Sequence, residues 1–362
     1  MIELGIIGLG KWAGVLARAA ASSDKLRITR GFSRSAGTRA SFASDFGIDC
    51  PDRVEDLLAD PALQGIILTV PNELHLEYAL RCAEAGKHVY IEKPITQRLD
   101  EALSLRTACE AAGVRVFVGH CAKLLAGVQA IRQHIDAGEL GDLCLLEGHF
   151  FNPRALSLTR EDWRWYQDKA PGGPLSQIAI HQLDVQRFLG GPVASVGATS
   201  ARRSPARPEV EDQWLLSLVF ESGALGSIGS SWTAAGVFDI RVVGTRATMH
   251  YRIDQTLWPT AGRLHESATL TLQRQGQAFH QAERLPVAAG DMFQDELERF
   301  AEAIGGRPQP DFDADYGIEI LGMVEAARHS DRHQGARVDL REFVRQGLAK
   351  GAPIDRNIGS HT

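Results

Sequence analysis

The opening stretch Met1-Ile-Glu-Leu-Gly-Ile-Ile-Gly-Leu-Gly-Lys-Trp-Ala-Gly14 constrains this chain more than any other. An apolar run over residues 4–7 reads as a buried strand, Gly8 and Gly10 open a tight turn, and residues 12–21, rich in Ala and Leu, read as a helix. Strand, glycine turn and helix in this order form the start of a dinucleotide-binding unit. Gly8 lets the turn form. Gly10 removes the side chain that would hold a pyrophosphate off the backbone, and Ala13 stands where a third small residue lets helix and strand approach. Leu9, Lys11 and Trp12 complete the candidate cofactor turn. Amide N–H groups at a helix start can then hold phosphates. Glycine turns after strands also occur with no nucleotide present, so the segment alone leaves both readings open.

The length of 362 residues suggests two domains or one large one. A net charge of -6, with Lys and Arg spread among Asp and Glu, gives no broad nucleic-acid footprint. No run reaches the ~18 apolar residues of a membrane span. The first strand begins within a few residues of Met1, which leaves no room for a signal peptide. Five cysteines, at 50, 82, 109, 121 and 144, show no close metal pairing, and their odd number argues against a full disulfide framework. A reducing, cytoplasmic setting is the expectation.

The first third alternates strand and helix, which predicts a parallel sheet with helices on both faces. Strands are expected at 26–32, 65–71, 87–94 and 114–119, and helices at 36–46, 54–60, from 76 to Gly86, and at 97–112. Ligands of such sheets bind at the carboxyl ends of the strands, where Gly8, Ser33, Thr69, Glu92 and His120 fall. An acidic residue at the end of the second strand usually meets the ribose hydroxyls of NAD. This chain has Ser33-Arg34-Ser35 there, and a hydroxyl beside a guanidinium suits a 2′-phosphate. NADP is therefore expected over NAD. The alternative is that Arg34 is a solvated loop residue, or stacks on adenine without selecting phosphate.

After a helix at 124–136 the pattern changes. Strand-like runs at 143–151, 193–199, 212–220, 224–233, 237–243, 247–253 and 267–274 predict a mainly antiparallel sheet. Helices are expected at 178–189, 291–304 and 313–329, and a short returning strand at 337–340. The α/β chain thus divides into a Rossmann domain at 1–122 and a substrate-binding and oligomerisation domain at 123–362. A wide open sheet needs cover on its outer face, which a partner subunit would supply.

The residues now described resemble the glucose–fructose oxidoreductase, inositol dehydrogenase and MocA family of NAD(P)-dependent oxidoreductases. The resemblance rests on Gly8-Leu-Gly-Lys-Trp-Ala13, Thr69-Val-Pro-Asn72 with His75, and Ala85-Gly-Lys-His-Val-Tyr-Ile-Glu-Lys-Pro94. It continues through Ile135-Asp-Ala-Gly-Glu-Leu-Gly141, Trp163-Arg164, Gly172-Gly-Pro-Leu-Ser-Gln-Ile-Ala-Ile-His-Gln-Leu-Asp184, Glu211-Asp212 and Phe220-Glu-Ser-Gly-Ala-Leu-Gly226. It implies a Rossmann domain, a C-terminal α/β domain with a large, predominantly antiparallel open sheet, and a homodimer or homotetramer packed through that sheet. It implies that Lys93 reaches the reacting oxygen and the nicotinamide side, and that His181 is the acid/base. Thr69, Val70, Pro71, Asn72 and His75 would line the cofactor, and Glu92 would lie near the nicotinamide ribose. Pro94 matches a proline often preceded by a cis bond. Lys123 falls where many members place an Arg or aromatic residue facing substrate. One departure stands out: the family commonly has Asp four residues before the histidine, and this chain has Gln177, which cannot take a proton at neutral pH.

The implied chemistry is hydride transfer to or from a secondary alcohol or carbonyl carbon of a sugar, polyol, cyclitol or cyclic diol. His181 can act as base because an unperturbed imidazole has a pKa of ~6.5. Lys93 can stabilise the oxygen, or serve as base if burial lowers its pKa. Asp184, three residues after His181, could share its helix face and join Gln177, Lys123 and Arg164 at the substrate. It could equally be a structural ion pair. Trp163, Arg164, Trp165 and Arg154 could line the pocket or anchor a loop, and the three cations Lys123, Arg154 and Arg164 would suit a carboxylate or phosphate if they converge. No metal is expected, because the histidines lack ligand spacing and hydride transfer needs none. A non-catalytic cofactor-binding regulator, or an enzyme that recycles a tightly held cofactor, remain the alternatives.

Overall fold

The computed structural model describes residues 1–349. Its first part runs β1 (Ile2–Ile7), α1 (Lys11–Ala21), β2 (Leu26–Phe32), α2 (Ala36–Phe46), α3 (Val54–Leu58), β3 (Gly65–Leu68), α4 (His75–Glu84), β4 (His88–Glu92), α5 (Leu99–Ala111) and β5 (Val116–Gly119). The five strands form one sheet in the order β2-β1-β3-β4-β5, all parallel. The chain leaves β1 toward β2 on one side and returns to β3 on the other. The crevice between β1 and β3 is therefore the topological switch point at which such sheets bind ligands. Local chemistry sets the helix ends. Ser35 Oγ accepts from Thr38 N at 3.3 Å at the start of α2, and Gly47 closes that helix with φ +66°.

The second part continues with α6 (Ala126–Asp136), β6 (Leu143–Phe151), α7 (Ile180–Gly190), β7 (Val193–Ala201), β8 (Gln213–Phe220), β9 (Leu225–Ser231), β10 (Val237–Gly244) and β11 (Ala247–Ile253). It ends with α8 (Leu264–Ser267), β12 (Thr269–Arg274), β13 (Glu283–Leu285), α9 (Met292–Ile304), α10 (Ala314–Arg332), β14 (Val338–Asp339) and α11 (Leu340–Ala349). The sheet order is β13-β12-β11-β10-β6-β9-β8-β7-β14. Among the described residues, β6 and β9 are the one parallel pair of this sheet, so it is predominantly antiparallel as the alternation predicts. Along β6, Leu146, Gly148 and Phe150 are buried while Glu147, His149 and Phe151 face outward. The outer face carries the pairs His149–Asp239 and Glu147–Arg241 and the exposed Leu215 and Leu225. Among the described residues, no helix is long and apolar enough to cross a membrane.

Helix α7 carries the candidate histidine, and two amides dock it on the sheet. Gln182 donates Nε2–H to the carbonyls of His149 (3.0 Å) and Asp239 (2.9 Å), and Gln186 donates to that of Ser227 (2.8 Å). A Cβ at Gly148 would collide with the Gln182 amide, so glycine there is what allows this close approach. Helices α9 and α10 return to the first sheet. Phe300 of α9 packs on Tyr90 and Phe117, and Val118 N donates to Phe312 O at 2.7 Å. The sequence boundary near residue 122 thus separates the two sheets, but not the helices that cover them.

Three expectations need correction. The helix predicted from residue 178 begins earlier, with a π turn at Leu175–Ala179 after Pro174, which suits a first helical turn. The helix predicted at 124–136 is a short 3₁₀ turn at Cys121–Leu124 followed by α6. Strand β13 and helix α11 were not anticipated from the sequence: β13 is only three residues long, whereas α11 does carry an apolar stripe, Leu340, Phe343 and Val344, at helical spacing.

Candidate active site

The glycine turn is built for close contact. Gly8 has φ +95°, and a Cβ there would lie 2.8 Å from Thr69 C and Val70 N, so the turn closes directly against the end of β3. Thr69 fastens the two strand ends by donating its hydroxyl to the carbonyl of Gly8. Gly10 caps α1 with no side-chain hydrogen bond, the first turn holds no acidic residue, and a Cβ at Gly10 would meet nothing within 4 Å. Free amide donors at the positive end of a helix, bordered by open space, fit a pyrophosphate. Leu9 is buried and Lys11 exposed, whereas Trp12 packs on Phe293 of α9 at 5.9 Å between ring centroids.

At the end of β2, the carbonyls of Ser33 and Arg34 accept from Arg39 at 2.8 and 3.2 Å, and Arg39 also pairs with Asp52. The Arg34 side chain is exposed and, among the described residues, forms no ion pair. Beyond β3, Val70, Pro71 and Asn72 form a partly open loop. His75 is not part of its surface. It is fully buried, with Nδ1 2.9 Å from Pro94 O and Nε2 3.1 Å from Val70 O. The ring braces the cofactor loop against the Lys93–Pro94 turn, which corrects the expectation that it lines the cofactor.

Lys93 follows β4, before a cis bond to Pro94. Its Nζ donates to the carbonyl of Gln177 at 2.9 Å, inside the π turn that leads to His181. Burial lowers the Lys93 pKa, Glu92 opposes this, and the charges of Arg164 and Arg154 lower it further. His181 is 5% exposed and lies 5.2 Å from Trp258 and 5.8 Å from Phe150, ring to ring. Burial pushes its pKa well below the usual imidazole value, helped by the charge of Lys93 and by His120. The ring is thus held neutral, the form that can accept a proton. Gln177 lies beside the pair with a buried, unpaired Nε2. Glu92 is half-buried at the same strand end, and burial raises its pKa.

Two residues expected at the substrate lie behind the site instead. Lys123 is 1% exposed and Asp184 fully buried, and they pair at 2.9 Å. Lys123 is sandwiched between Phe312 (4.1 Å) and Tyr316 (3.8 Å), and Tyr316 donates its hydroxyl to Asp184 Oδ1 at 2.8 Å. The two charges neutralise each other, with Tyr316 of α10 bonding Asp184 and the Asp311 carbonyl bonding Lys123, inside the core. The sequence reading also missed Glu296. It is fully buried, accepts from the Tyr90 hydroxyl at 2.7 Å, and has its pKa raised well above normal by burial and then by Glu92. The available signal was an acidic residue inside the apolar stripe Phe293, Leu297, Phe300.

The buried histidines make a pH signature. His120 has neither ring nitrogen paired with protein, and burial lowers its pKa well below the unfolded value. An unfolded His120 takes a proton as pH falls past ~6.5 while the folded one resists, so its stabilising contribution is full above that pH and is lost below it. The raised carboxyl of Glu296 runs the opposite way. The comparison is therefore His120→Phe against the native chain in denaturant titrations at pH 7.5 and 5. The native protein should lose stability relative to the variant by up to roughly 1.4 kcal/mol per pH unit. Parallel pH profiles would show that His120 titrates normally.

A parallel sheet opening on an uncapped glycine turn, joined to an open antiparallel sheet at the place where a lysine and a neutral histidine meet, defines a two-domain protein of the Rossmann dinucleotide-binding class. Residues 2–120 match the profile of the oxidoreductase family with NAD-binding Rossmann fold, and residues 128–250 match the GFO/IDH/MocA C-terminal domain. The chain belongs to the GFO/IDH/MocA family of oxidoreductases. It is similar to a Desulfitobacterium hafniense protein assigned as an NADPH-dependent oxidoreductase, at 32% identity and TM-score 0.89 over 95% of this chain and 99% of that one. It is 28% identical to 1,5-anhydro-D-fructose reductase of Ensifer adhaerens, over 80% of this chain and 84% of that one. It is 27% identical to scyllo-inositol 2-dehydrogenase (NAD(+)) of Bacillus subtilis, over 73% and 75% respectively.

Proposed function

We propose that this protein moves a hydride between a nicotinamide cofactor and a secondary alcohol or carbonyl carbon of a sugar, polyol, cyclitol or cyclic diol. The observation that carries the reading is the docking of Lys93 on the π turn that positions His181, at the carboxyl end of β4. The reductase and dehydrogenase relatives act on a sugar derivative and a cyclitol, which supports the substrate class. The turn Gly8–Gly10 and the start of α1 would hold the dinucleotide pyrophosphate, with Thr69, Val70, Pro71 and Asn72 along it and Glu92 near the ribose. Bound there, the cofactor supplies the hydride donor or acceptor. Lys93 places positive charge where an alkoxide develops, and the neutral His181 accepts the hydroxyl proton in oxidation or returns it in reduction. The amide of Gln177 can orient these groups but cannot share the proton.

Arg34 is the basis for proposing NADP over NAD. Its guanidinium is exposed and, among the described residues, forms no ion pair, and Ser33 precedes it in the chain, so the two side chains could offer a 2′-phosphate charge-assisted bonds. Titration of nicotinamide fluorescence should show tighter binding of NADPH than of NADH. Arg34→Ala should weaken NADPH by roughly 10- to 100-fold, the worth of about 1.5–3 kcal/mol for bonds to a charged group, with much less effect on NADH. Equal losses for both cofactors would overturn the phosphate role. Failure of both to bind, with no nicotinamide retained through purification, would overturn the enzymatic reading.

A further inference from the structure

The segment after β6 places arginines on tryptophan faces beside Lys93. Arg154 stacks over Trp232, with Cζ 5.9 Å from the ring, and Arg164 stacks over Trp163 at 4.1 Å. The segment is fixed at several points. Ala155 N donates to Trp232 O at 2.7 Å, Glu209 N donates to Trp165 O at 3.0 Å, and Gln97 from the Lys93–Pro94 turn donates to the carbonyls of Asp168 and Lys169 at 3.4 and 3.3 Å. The ring of Trp232 also packs 3.3 Å from where a Cβ of Gly173 would stand, at the foot of the π turn that carries Gln177. Both arginines lie near enough to Lys93 for their charges to act on it, and Lys93 is itself docked on that turn, so the arginines, the lysine and the turn leading to His181 form one cluster.

These cations are short of counter-charge. Among the described residues neither guanidinium forms an ion pair with a carboxylate. The acidic neighbour of both is Asp162, and its Oδ2 is already taken by the amide (2.9 Å) and hydroxyl (3.2 Å) of Thr159. The protein-lined surroundings lower the Arg164 pKa to about 10, with the charge of Arg154 adding to the effect. Arg154 remains open to solvent, as a residue on the wall of a cleft must to meet a ligand. Keeping two like charges together near a third, Lys93, is unfavourable unless an anion joins them. Planar guanidinium groups laid on aromatic faces are preorganised for a planar carboxylate or a phosphate.

We infer that Arg154 and Arg164 form the anion-binding end of the substrate cleft, and that the substrate is a carbohydrate or cyclitol carrying a carboxylate or phosphate group. The inference rests on the reading of Lys93 and His181 as the reacting centre. It also links recognition to chemistry, because an anion on the arginines offsets the positive charge that now works against a protonated Lys93.

The test uses the purified full chain with glucose, glucuronate and glucose 6-phosphate, followed by calorimetric binding and by reduction of NADP and NAD. One anionic sugar should bind at least about tenfold more tightly than glucose, consistent with bonds to a charged group. Which one does so separates a carboxylate site from a phosphate site. In Arg164→Gln and Arg154→Gln, with folding checked by thermal melting, the preference for the anionic sugar over glucose should fall about tenfold or more. Equal binding of neutral and anionic sugars, absence of binding by any anionic sugar, or a preference that survives both substitutions would overturn the inference. Turnover of neutral sugars without an anionic preference would remove the inference and leave the oxidoreductase reading standing. Arginine-dependent binding of an anionic sugar with no hydride transfer would do the reverse.

Discussion

Lys93→Met is expected to lower kcat by about 10²- to 10⁴-fold, in the range found when a positioned proton-transfer or charge-stabilising group is removed. Methionine keeps most of the side-chain length and the apolar stem, so the turn into the cis Pro94 stays filled. What disappears is the one positive charge at the end of β4 and its bond to the Gln177 carbonyl. Cofactor binding provides the internal control. Gly8, Gly10 and the first turn of α1 follow a different strand, β1, and their amides do not depend on Lys93. Nicotinamide affinity should therefore change little while the chemical step collapses. Single-turnover measurements would separate the two, and a variant within about tenfold of native kcat would show that Lys93 supplies neither charge nor proton transfer.

Asp184→Leu is expected to destabilise the fold by about 3–5 kcal/mol, because it strands Lys123 as a buried, unpaired cation. Among the described residues Lys123 would keep the Asp311 carbonyl, the faces of Phe312 and Tyr316 and the more distant Glu296. The direction of the two pKa shifts adds a second expectation. Burial raises Asp184 and lowers Lys123, so for each partner desolvation outweighs the attraction of the other. The pair is thus costly even when intact, and one oxygen of Asp184, Oδ2, has no protein partner. The double variant Lys123→Met with Asp184→Leu should regain most of the lost stability and could reach the native value. Denaturant titration of the single and double variants measures this directly. Additive losses in the double variant would show that the two residues act independently.

The same pair marks where sequence reading reaches its limit. Its spacing places Asp184 near His181 on α7, and that much is local. Whether the side chain meets substrate or core is decided by Tyr316 and Phe312, more than a hundred residues later in the chain, and no periodicity reports that. The β-strand and helix alternation of the first sheet was legible because each element carries its own apolar pattern and its own stop signal, such as Gly47 or Gly113. The π turn was not, since a one-residue slip in helical bonding leaves the apolar spacing unchanged. Glu296 stood in plain view on an apolar helix face. Its meaning depended on Tyr90, which reads by itself as an ordinary strand residue.

The return of α9 and α10 to the first sheet has a consequence for anyone who would recombine this chain with a relative. Phe300 and Phe312 belong to the late sequence but complete the packing of Tyr90 and Phe117 in the early one. A crossover at residue 122 would transplant strands without the lid of aromatic rings that keeps them dry. The nucleotide-binding half is therefore not a cassette that can be cut at the point where the strand pattern changes. The inheritable unit is discontinuous, and a chimera that respects it must carry both helices, Met292–Ile304 and Ala314–Arg332, and the segment between them that holds Phe312, along with the first five strands.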